Sequence, residues 1–273
     1  MPSLLFIIPL LFALFAQAAF GSSPEPHATK TFVNSLDMEF KAIPAGSFLM
    51  GSPPDEPGRD KDEIQVQVTF SKGFYIQTTE VTQGQWKALM QGNPSLFQDC
   101  GDQCPVENVS WEDVQKFIRK LNRLEKSRKY RLPTEAEWEY VCRAGSRSAF
   151  TNGDIANLQC GYDPLHDEIG WFFGNSGGKT QPVAQKAPNA WGIFDMHGNV
   201  WEWSHDRYSP RDPAKKHLTD PVGSSTGWGR VFRGGSCRYA ALCSRCANRK
   251  WVTRHVKSNS LGFRLVMTEQ ILK

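Results

Sequence analysis

The feature that most constrains the fold is a long stretch, from Arg143 to Arg264, that shows no helical periodicity. Gly, Asn, Trp and short strand-like runs dominate it, and Ser209 to Gly229 is predicted to form a long loop. The whole chain of 273 residues contains 23 Gly, 17 Pro and 9 Trp. This composition favours a loop-rich fold whose core depends on large aromatic side chains, and it argues against a helical bundle.

Three helix starts are confined to the half of the chain before Arg143. Each is a capping box, in which a Ser or Thr is followed three residues later by a side chain that can bond back to it. The pairs are Thr82 with Gln85, Ser110 with Asp113, and Thr134 with Glu137. After Ser110, four apolar residues recur at helical spacing and predict one buried face: Val114, Phe117, Ile118 and Leu121.

Strands are predicted around these helices. Phe40 to Phe48 reads as a strand broken by Pro44-Ala45-Gly46, and two further strands are expected at Gln65 to Phe70 and Phe74 to Glu80. No linker divides the chain and no unit of 20–50 residues repeats, which excludes solenoids and propellers. The sequence therefore predicts a single α+β domain over residues 39–269.

The first 18 residues have the features of a signal peptide. Residues 1–18 carry no charged side chain, and Ala16-Gln17-Ala18 has the small-x-small pattern of a cleavage site. The alternative, a membrane anchor, is disfavoured because the apolar run is shorter than the roughly 20 residues that span a bilayer. We therefore expect an exported protein, periplasmic or secreted, with a polar lead-in over residues 19–38 and no integral membrane segment in the mature chain.

The charge balance excludes one class of partner. Lys and Arg number 32 against 28 Asp and Glu, and no basic run concentrates the excess of four. A nucleic-acid groove is therefore not expected. An exported protein or a small molecule is the expected substrate or partner.

The seven Cys are expected to form disulfides after export, because the compartments outside the cytosol are oxidising. Cys100 and Cys104, four residues apart in a turn-rich stretch, could close a small ring. The other five are Cys142, Cys160, Cys237, Cys243 and Cys246. Since seven is odd, at least one thiol has no partner within the chain, and the pairing of the remainder stays open.

Two stretches contain residues that could bind metal ions. In Phe194 to Trp203, the carboxylates of Asp195 and Glu202 flank Gly198, and such oxygen donors suit Ca²⁺; the alternative is two solvated acids around a buried Trp pair. In the second stretch, Cys237 and Cys243 could hold Cu(I), a soft ion; the alternative is a disulfide plus a small buried Cys. The scattered histidines, His197 and His205 among them, are expected to be surface or hydrogen-bonded core residues.

An ordered series of motifs resembles the formylglycine-generating enzyme, or sulfatase-modifying factor, family. The series covers about Glu39 to Val266, nearly the whole predicted mature chain. Its segments are Ile43 to Ser52, Glu80-Val81-Thr82, Pro105 to Trp111, Arg131 to Glu139, Asn189 to Gly192, Gly198 to Trp203, Arg233 to Ser236 and Gly262-Phe263-Arg264.

This resemblance implies a modified C-type-lectin-like fold with bound calcium. In the first implied Ca²⁺ site, the side chains of Asp195 and Glu202 and the backbone carbonyls of Gly198 and Val200 are the ligands. The second implied site begins with the Asn157 side chain and the Leu158 carbonyl. Beyond Leu158, the segment from Cys160 to Gly178 departs from the family pattern. The resemblance also implies a disulfide between Cys142 and Cys246.

The enzymes of this family use Cu(I), held by two Cys, and O₂ to oxidise a Cys side chain of a sulfatase to formylglycine. In their register, those two Cys would correspond to Ser236 and Ala241. The thiols near these positions are Cys237 and Cys243, six residues apart, which could converge only if the chain loops back between them. The active-site Ser of the family is matched by Ser236, whereas the Asn before Leu-Gly-Phe-Arg is replaced by Ser260.

Two functions follow from the resemblance. The first is O₂-dependent, copper-dependent oxidation of a Cys side chain in an exported, sulfatase-type substrate, with Cys237, Cys243 and Ser236 as candidate catalytic residues. The second is a non-catalytic or differently catalytic exported member that acts as a binding or maturation factor, like the family members similar to the pyoverdine maturation protein that lack the thiol pair. The shifted thiols favour the second interpretation of the site, but the first is kept as the named activity because the family's fold is built around oxidation.

Overall fold

The computed structural model describes residues 30–127, 129–159 and 161–268. The predicted signal peptide, the first part of the lead-in and Cys160 lie outside these ranges, as do the last five residues. Within the described part of the chain, no helix has both the length and the apolar character needed to cross a membrane.

The three predicted helices form, each with its capping box. They are α1 (Gln83–Leu89), α2 (Trp111–Leu124) and α3 (Glu135–Arg143). The hydroxyl oxygens of Thr82, Ser110 and Thr134 accept the first-turn backbone N–H groups at 3.1–3.2 Å. Helix α2 buries the predicted apolar face against the core, as its spacing indicated. The predictions for all three helices are confirmed.

Twelve short strands lie in three sheets within the described ranges. The five-stranded sheet has the order β1 (Thr31–Val33), β2 (Glu39–Ile43), β5 (Phe74–Gln77), β12 (Val266–Met267), β6 (Tyr130–Arg131). The four-stranded sheet has the order β10 (Lys250–Val252), β9 (Arg230–Arg233), β7 (Trp201–Arg207), β11 (Leu261–Gly262). The three-stranded sheet has the order β3 (Gly46–Met50), β4 (Val66–Phe70), β8 (His217–Thr219).

The predicted strands are present, and the predicted break becomes the turn between β2 and β3, since Pro44 has no N–H to continue a ladder. Strand β1 falls within the segment predicted as a lead-in and pairs with β2.

Two predictions for the second half of the chain are wrong. A short helix, α4 (Pro164–Ile169), forms where no helical period was found, because Asp163 caps it and Pro164 starts it, and six residues are too few to show a period. Strand β8 interrupts the predicted loop over 209–229 because it pairs with β4, about 150 residues earlier in the chain.

Two aromatic clusters form the core. In one, the rings of Trp86, Phe117 and Phe263 pack at centroid distances of 5.4–6.3 Å. In the other, Phe70 and Trp191 pack around Tyr140 at 4.8–5.1 Å. Through Phe263 and Trp191, the loop-rich second half therefore packs against aromatic rings from the first half of the chain.

Buried ion pairs connect loop segments to one another and to α3. Arg245 Nη2 lies 2.7 Å from Glu63 Oε1, and Arg249 Nε lies 2.7 Å from Glu135 Oε1. Arg233 pairs with Glu139. Both Glu135 and Glu139 are thus buried against arginines.

Candidate functional site

Paired glycines after β9 allow the backbone to pack against α3. Gly234 and Gly235 have φ angles of 101° and 73°, which side chains rarely tolerate. A Cβ on Gly235 would lie 2.1 Å from the Ser244 hydroxyl oxygen, and one on Gly234 would lie 3.1 Å from the ring of Trp138. The glycines therefore place Ser236, which is fully buried, deep beside α3.

Cys237 is enclosed by the protein. Its side chain is fully buried, its N–H donates to the Asn199 carbonyl at 2.9 Å, and its carbonyl accepts the Ser176 hydroxyl at 2.6 Å. Burial raises the pKa of the Cys237 thiol to about 12. Use of this thiol as a nucleophile or a metal ligand would therefore require loss of its proton inside an enclosed site.

The chain reverses after Cys237. The Tyr239 N–H donates to the Ser236 carbonyl at 3.0 Å, and a 3-10 helix follows at Ala241–Ser244. Cys243, in this helix, is half-buried against the first aromatic cluster. The segment is therefore not extended, and it contains the chain reversal that convergence of the two thiols requires. Cys237 is fully buried whereas Cys243 is half-buried against the first aromatic cluster, and a copper site formed by the two stays a prediction.

The positions that the family register assigns to the copper thiols are Ser236 and Ala241, and both are fully buried. Arg238 and Tyr239 are the exposed residues of this turn, and the Tyr239 ring packs edge-on against Trp201 at 5.6 Å. The surface of the turn therefore presents a guanidinium and a phenol ring, and neither thiolate of the enzymes has an equivalent in strict register.

At the predicted calcium loop, the structure brings together two carboxylates that form no salt bridge among the described residues, although the Arg264 guanidinium, paired with Glu202, lowers the pKa of both. Asp195 is buried, and one of its oxygens accepts the Ala184 N–H at 2.8 Å while the other has no hydrogen-bond partner among the described residues. Neither carboxylate oxygen of Glu80 has a partner there either. Burial, and then the nearby Asp195, hold the pKa of Glu80 well above its usual range, and burial raises the pKa of Asp195 to about 6.

Oxygen donors of this kind suit Ca²⁺, since each carboxylate needs either a proton or a cation. Gly198, one of the predicted carbonyl ligands, has a φ of 145°, and a Cβ there would lie 2.2 Å from the Trp171 carbonyl oxygen. Val200, the other, is fully buried. Sequence reasoning missed Glu80, which was noted only within the Glu80-Val81-Thr82 motif.

Glu202 fits the predicted calcium set less well. Its two oxygens accept from the Arg264 guanidinium at 2.7 Å each, and one also accepts the Trp138 indole N–H at 2.8 Å. The carboxylate is therefore already neutralised. A Ca²⁺ ion in this loop would be held by Asp195 and Glu80 rather than by Glu202.

The residues of the second predicted calcium site form a local turn. The Asn157 side-chain oxygen accepts the Gln159 N–H at 2.9 Å, and the Asn157 N–H donates to Asp163 at 2.8 Å. Leu158 is exposed. The Asn157 oxygen thus has a partner without an ion.

A cavity of about 440 Å³ lies between the three-stranded sheet and the end of β7, away from the paired glycines. Buried Asp206 lines it, together with Arg211 and apolar residues such as Met50 and Leu218. Burial, with Glu135 nearby, raises the pKa of Asp206 to about 7. No motif in the sequence indicated this cavity.

Comparisons with known proteins agree with this architecture. Residues 28–269 match the family model described as "Sulfatase-modifying factor enzyme 1-like domain". The chain is 38% identical over 175 residues to the formylglycine-generating enzyme of Streptomyces coelicolor, a match that covers 59% of this chain and 51% of that enzyme. It is 32% identical over 203 residues to the chaperone protein LppX of Paenibacillus barcinonensis, covering 59% of this chain and 71% of that one.

Among solved structures, variable protein 1 of Treponema denticola superposes with a TM-score of 0.77 at 27% identity. The match covers 89% of this chain and 99% of the Treponema protein. The fold is therefore the loop-rich, C-type-lectin-like arrangement that the resemblance implied. The chain spans only about half the length of the Streptomyces enzyme. Because the family model matches nearly all of the residues described, this chain belongs to the sulfatase-modifying factor, or formylglycine-generating enzyme-like, family.

Proposed function

We propose that this protein is an exported family member that binds a partner protein and assists its maturation without copper-dependent oxidation. The observation that carries the proposal is the state of the thiol corner. Fully buried Ser236 and Ala241 occupy the register of the copper ligands, and the Cys237 thiol is enclosed by the protein. A relative of comparable identity is named a chaperone, which is consistent with a binding role.

An exposed aromatic cluster supports binding to another molecule. The ring of Trp228, 70% exposed, lies 5.8 Å from that of Trp251, which stacks on Tyr208 at 5.4 Å. Trp251 lies on β10, at one end of the four-stranded sheet. Clustered exposed Trp and Tyr side chains are typical of protein interfaces, because their rings provide large apolar contacts at low cost in side-chain entropy.

The second candidate is oxidation of a Cys side chain in an exported substrate. It is favoured by the chain reversal between Cys237 and Cys243 and by the similarity to formylglycine-generating enzymes. In this case Cys237 and Cys243 would hold copper, which would supply O₂ activation, and Ser236 would lie beside them. The chain itself would have to stabilise the Cys237 thiolate, and burial works against that.

The two functions are separated by titrating the protein, with its disulfides intact, with Cu(I) against a chromophoric chelator. We expect no site tighter than micromolar and no aldehyde in a Cys-containing peptide incubated with the protein, copper and O₂. Tight binding that disappears in Cys237→Ser and Cys243→Ser, with conversion of the peptide, would overturn the proposal.

The binding role is tested with urea-denatured citrate synthase diluted into buffer, by following light scattering. We expect an equimolar amount of the protein to slow aggregation and Trp228→Ala to weaken this effect. Leu96→Ala, which removes an apolar side chain that is 60% exposed elsewhere on the surface, serves as the control. An unchanged aggregation rate with the wild-type protein would contradict the binding role.

A further inference from the structure

The buried disulfide between Cys142, on α3, and Cys246 lies directly against the imidazole of His197. His197 Nε2 is 3.9 Å from Cys142 Sγ and 4.0 Å from Cys246 Sγ. All three side chains are buried, and their possible ligand atoms lie within 4.8 Å of one another. Among the described residues, no other group of three His, Cys, Asp or Glu side chains is gathered in this way.

The hydrogen bonds of His197 determine which ring nitrogen faces the sulfurs as an acceptor. Nδ1 lies 2.8 Å from the Ser244 carbonyl oxygen, which can only accept, so Nδ1 carries the hydrogen. Nε2 lies 3.3 Å from the Thr151 backbone N–H, which can only donate, so Nε2 carries the one lone pair of the ring, and an ion bound at Nε2 would replace this hydrogen bond. A carbonyl that fixes the tautomer from behind is the arrangement found around metal-ligating histidines.

We propose that, once the disulfide is reduced, Cys142, Cys246 and His197 bind one Cu⁺ ion. Thiolate sulfur and imidazole nitrogen are the donors that soft and borderline ions prefer. Cu⁺ is stable with three such donors, whereas Zn²⁺ takes a fourth ligand, usually water. The enclosed triad therefore favours Cu⁺.

The reaction needs a two-electron reductant, such as a dithiol. Two electrons and two protons pass from the dithiol to the Cys142–Cys246 bond, which becomes two thiols, while the dithiol becomes a disulfide. Binding of Cu⁺ then displaces the two thiol protons, and the ion remains in the +1 state.

The backbone keeps both sulfurs near His197 when the bond between them is absent. Cys142 lies within α3, and the Cys246 N–H donates to the Ala149 carbonyl at 2.9 Å. The two Cα atoms are 5.7 Å apart. The bound ion would therefore connect the same two segments that the disulfide connects, and it would stabilise the reduced fold.

The test uses the full chain carrying Cys100→Ser and Cys104→Ser, which removes the other disulfide. The protein is reduced anaerobically with a phosphine and titrated with Cu(I) against a chromophoric chelator. We expect the protein to bind one copper ion per chain, and the His197→Gln variant to bind it at least about 100-fold more weakly. Copper should raise the melting temperature only when His197 is present. His205→Gln is the matched control, because His205 is the other histidine flanking the same tryptophans and its side chain is exposed.

If His197→Gln does not fold, X-ray absorption at the copper edge of the reduced protein provides the second measurement. Two sulfur neighbours and one nitrogen neighbour would support the site. Equal affinity in the parent and His197→Gln, or no copper bound at all, would overturn it and leave the proposed function intact. Copper bound by the protein with its disulfides closed, and lost in Cys237→Ser, would instead contradict the proposed function.

Discussion

Some buried carboxylates in this protein form salt bridges with arginines, and others form none among the described residues. Burial alone would raise the pKa of Glu135, but Arg249, Arg211 and Arg233 lower it to about 2. Asp195 and Glu80 are equally buried and have oxygens without partners. This contrast makes the Asp195–Glu80 pair the place where a bound cation would change stability most.

We expect Ca²⁺ to raise the melting temperature relative to buffer with a chelator. At a hundredfold excess over Kd, a bound ligand contributes about 2.7 kcal/mol, which corresponds to roughly 5–10 °C for a chain of this size. Asp195→Ala should abolish the response, because it removes a carboxylate with an unpartnered oxygen.

Differential scanning calorimetry measures this effect, and Asp55→Ala, at an exposed acid, is the control. A calcium response that survives Asp195→Ala unchanged would show that the ion binds elsewhere.

At the scale of elements, the sequence predicted what depends on near neighbours and missed what depends on distant ones. The capping boxes of α1, α2 and α3 act over three residues, so they could be recognised directly. The pairing of β8 with β4 and the position of β12 between β5 and β6 depend on contacts across more than a hundred residues.

The candidate site likewise contains features that the sequence predicted and features that it did not. The Cys142–Cys246 disulfide was implied by resemblance and is confirmed. The placement of Glu80 beside Asp195, and of His197 beside the two sulfurs, has no signature in residue spacing, because the fold brings these residues together from separate segments. Only the structure could therefore reveal them.

The cap of α3 makes a prediction at this scale. Thr134 accepts the Glu137 N–H at 3.1 Å, and the Glu137 carboxylate accepts the Thr134 N–H at 2.8 Å. Thr134→Ala should lower the free energy of unfolding by about 0.5–2 kcal/mol in a urea titration, whereas Thr134→Ser, which keeps the hydroxyl, should lose much less. Equal losses in the two variants would mean that the methyl group, not the cap, matters.

For the whole molecule, the two described disulfides close loops of very different length. Cys100 and Cys104 are separated by four positions, and Cys142 and Cys246 by 104. The long loop joins α3 to the segment that follows β9, so it encloses α4, β7, β8 and most of the loop-rich half. A cross-link stabilises mainly by restricting the unfolded chain, and the restriction grows with the length of the loop.

Replacing both members of each pair with Ser should therefore have unequal effects. In the loop-entropy model, loss of the Cys142–Cys246 bond lowers the free energy of unfolding by about 4–5 kcal/mol, and loss of the Cys100–Cys104 bond by about 2 kcal/mol. Guanidinium titrations of the two double variants measure the difference, and the parent protein with its disulfides intact is the reference. Similar losses would mean that the length of the closed loop, and hence the entropy of the unfolded chain, does not set how much each disulfide stabilises the fold.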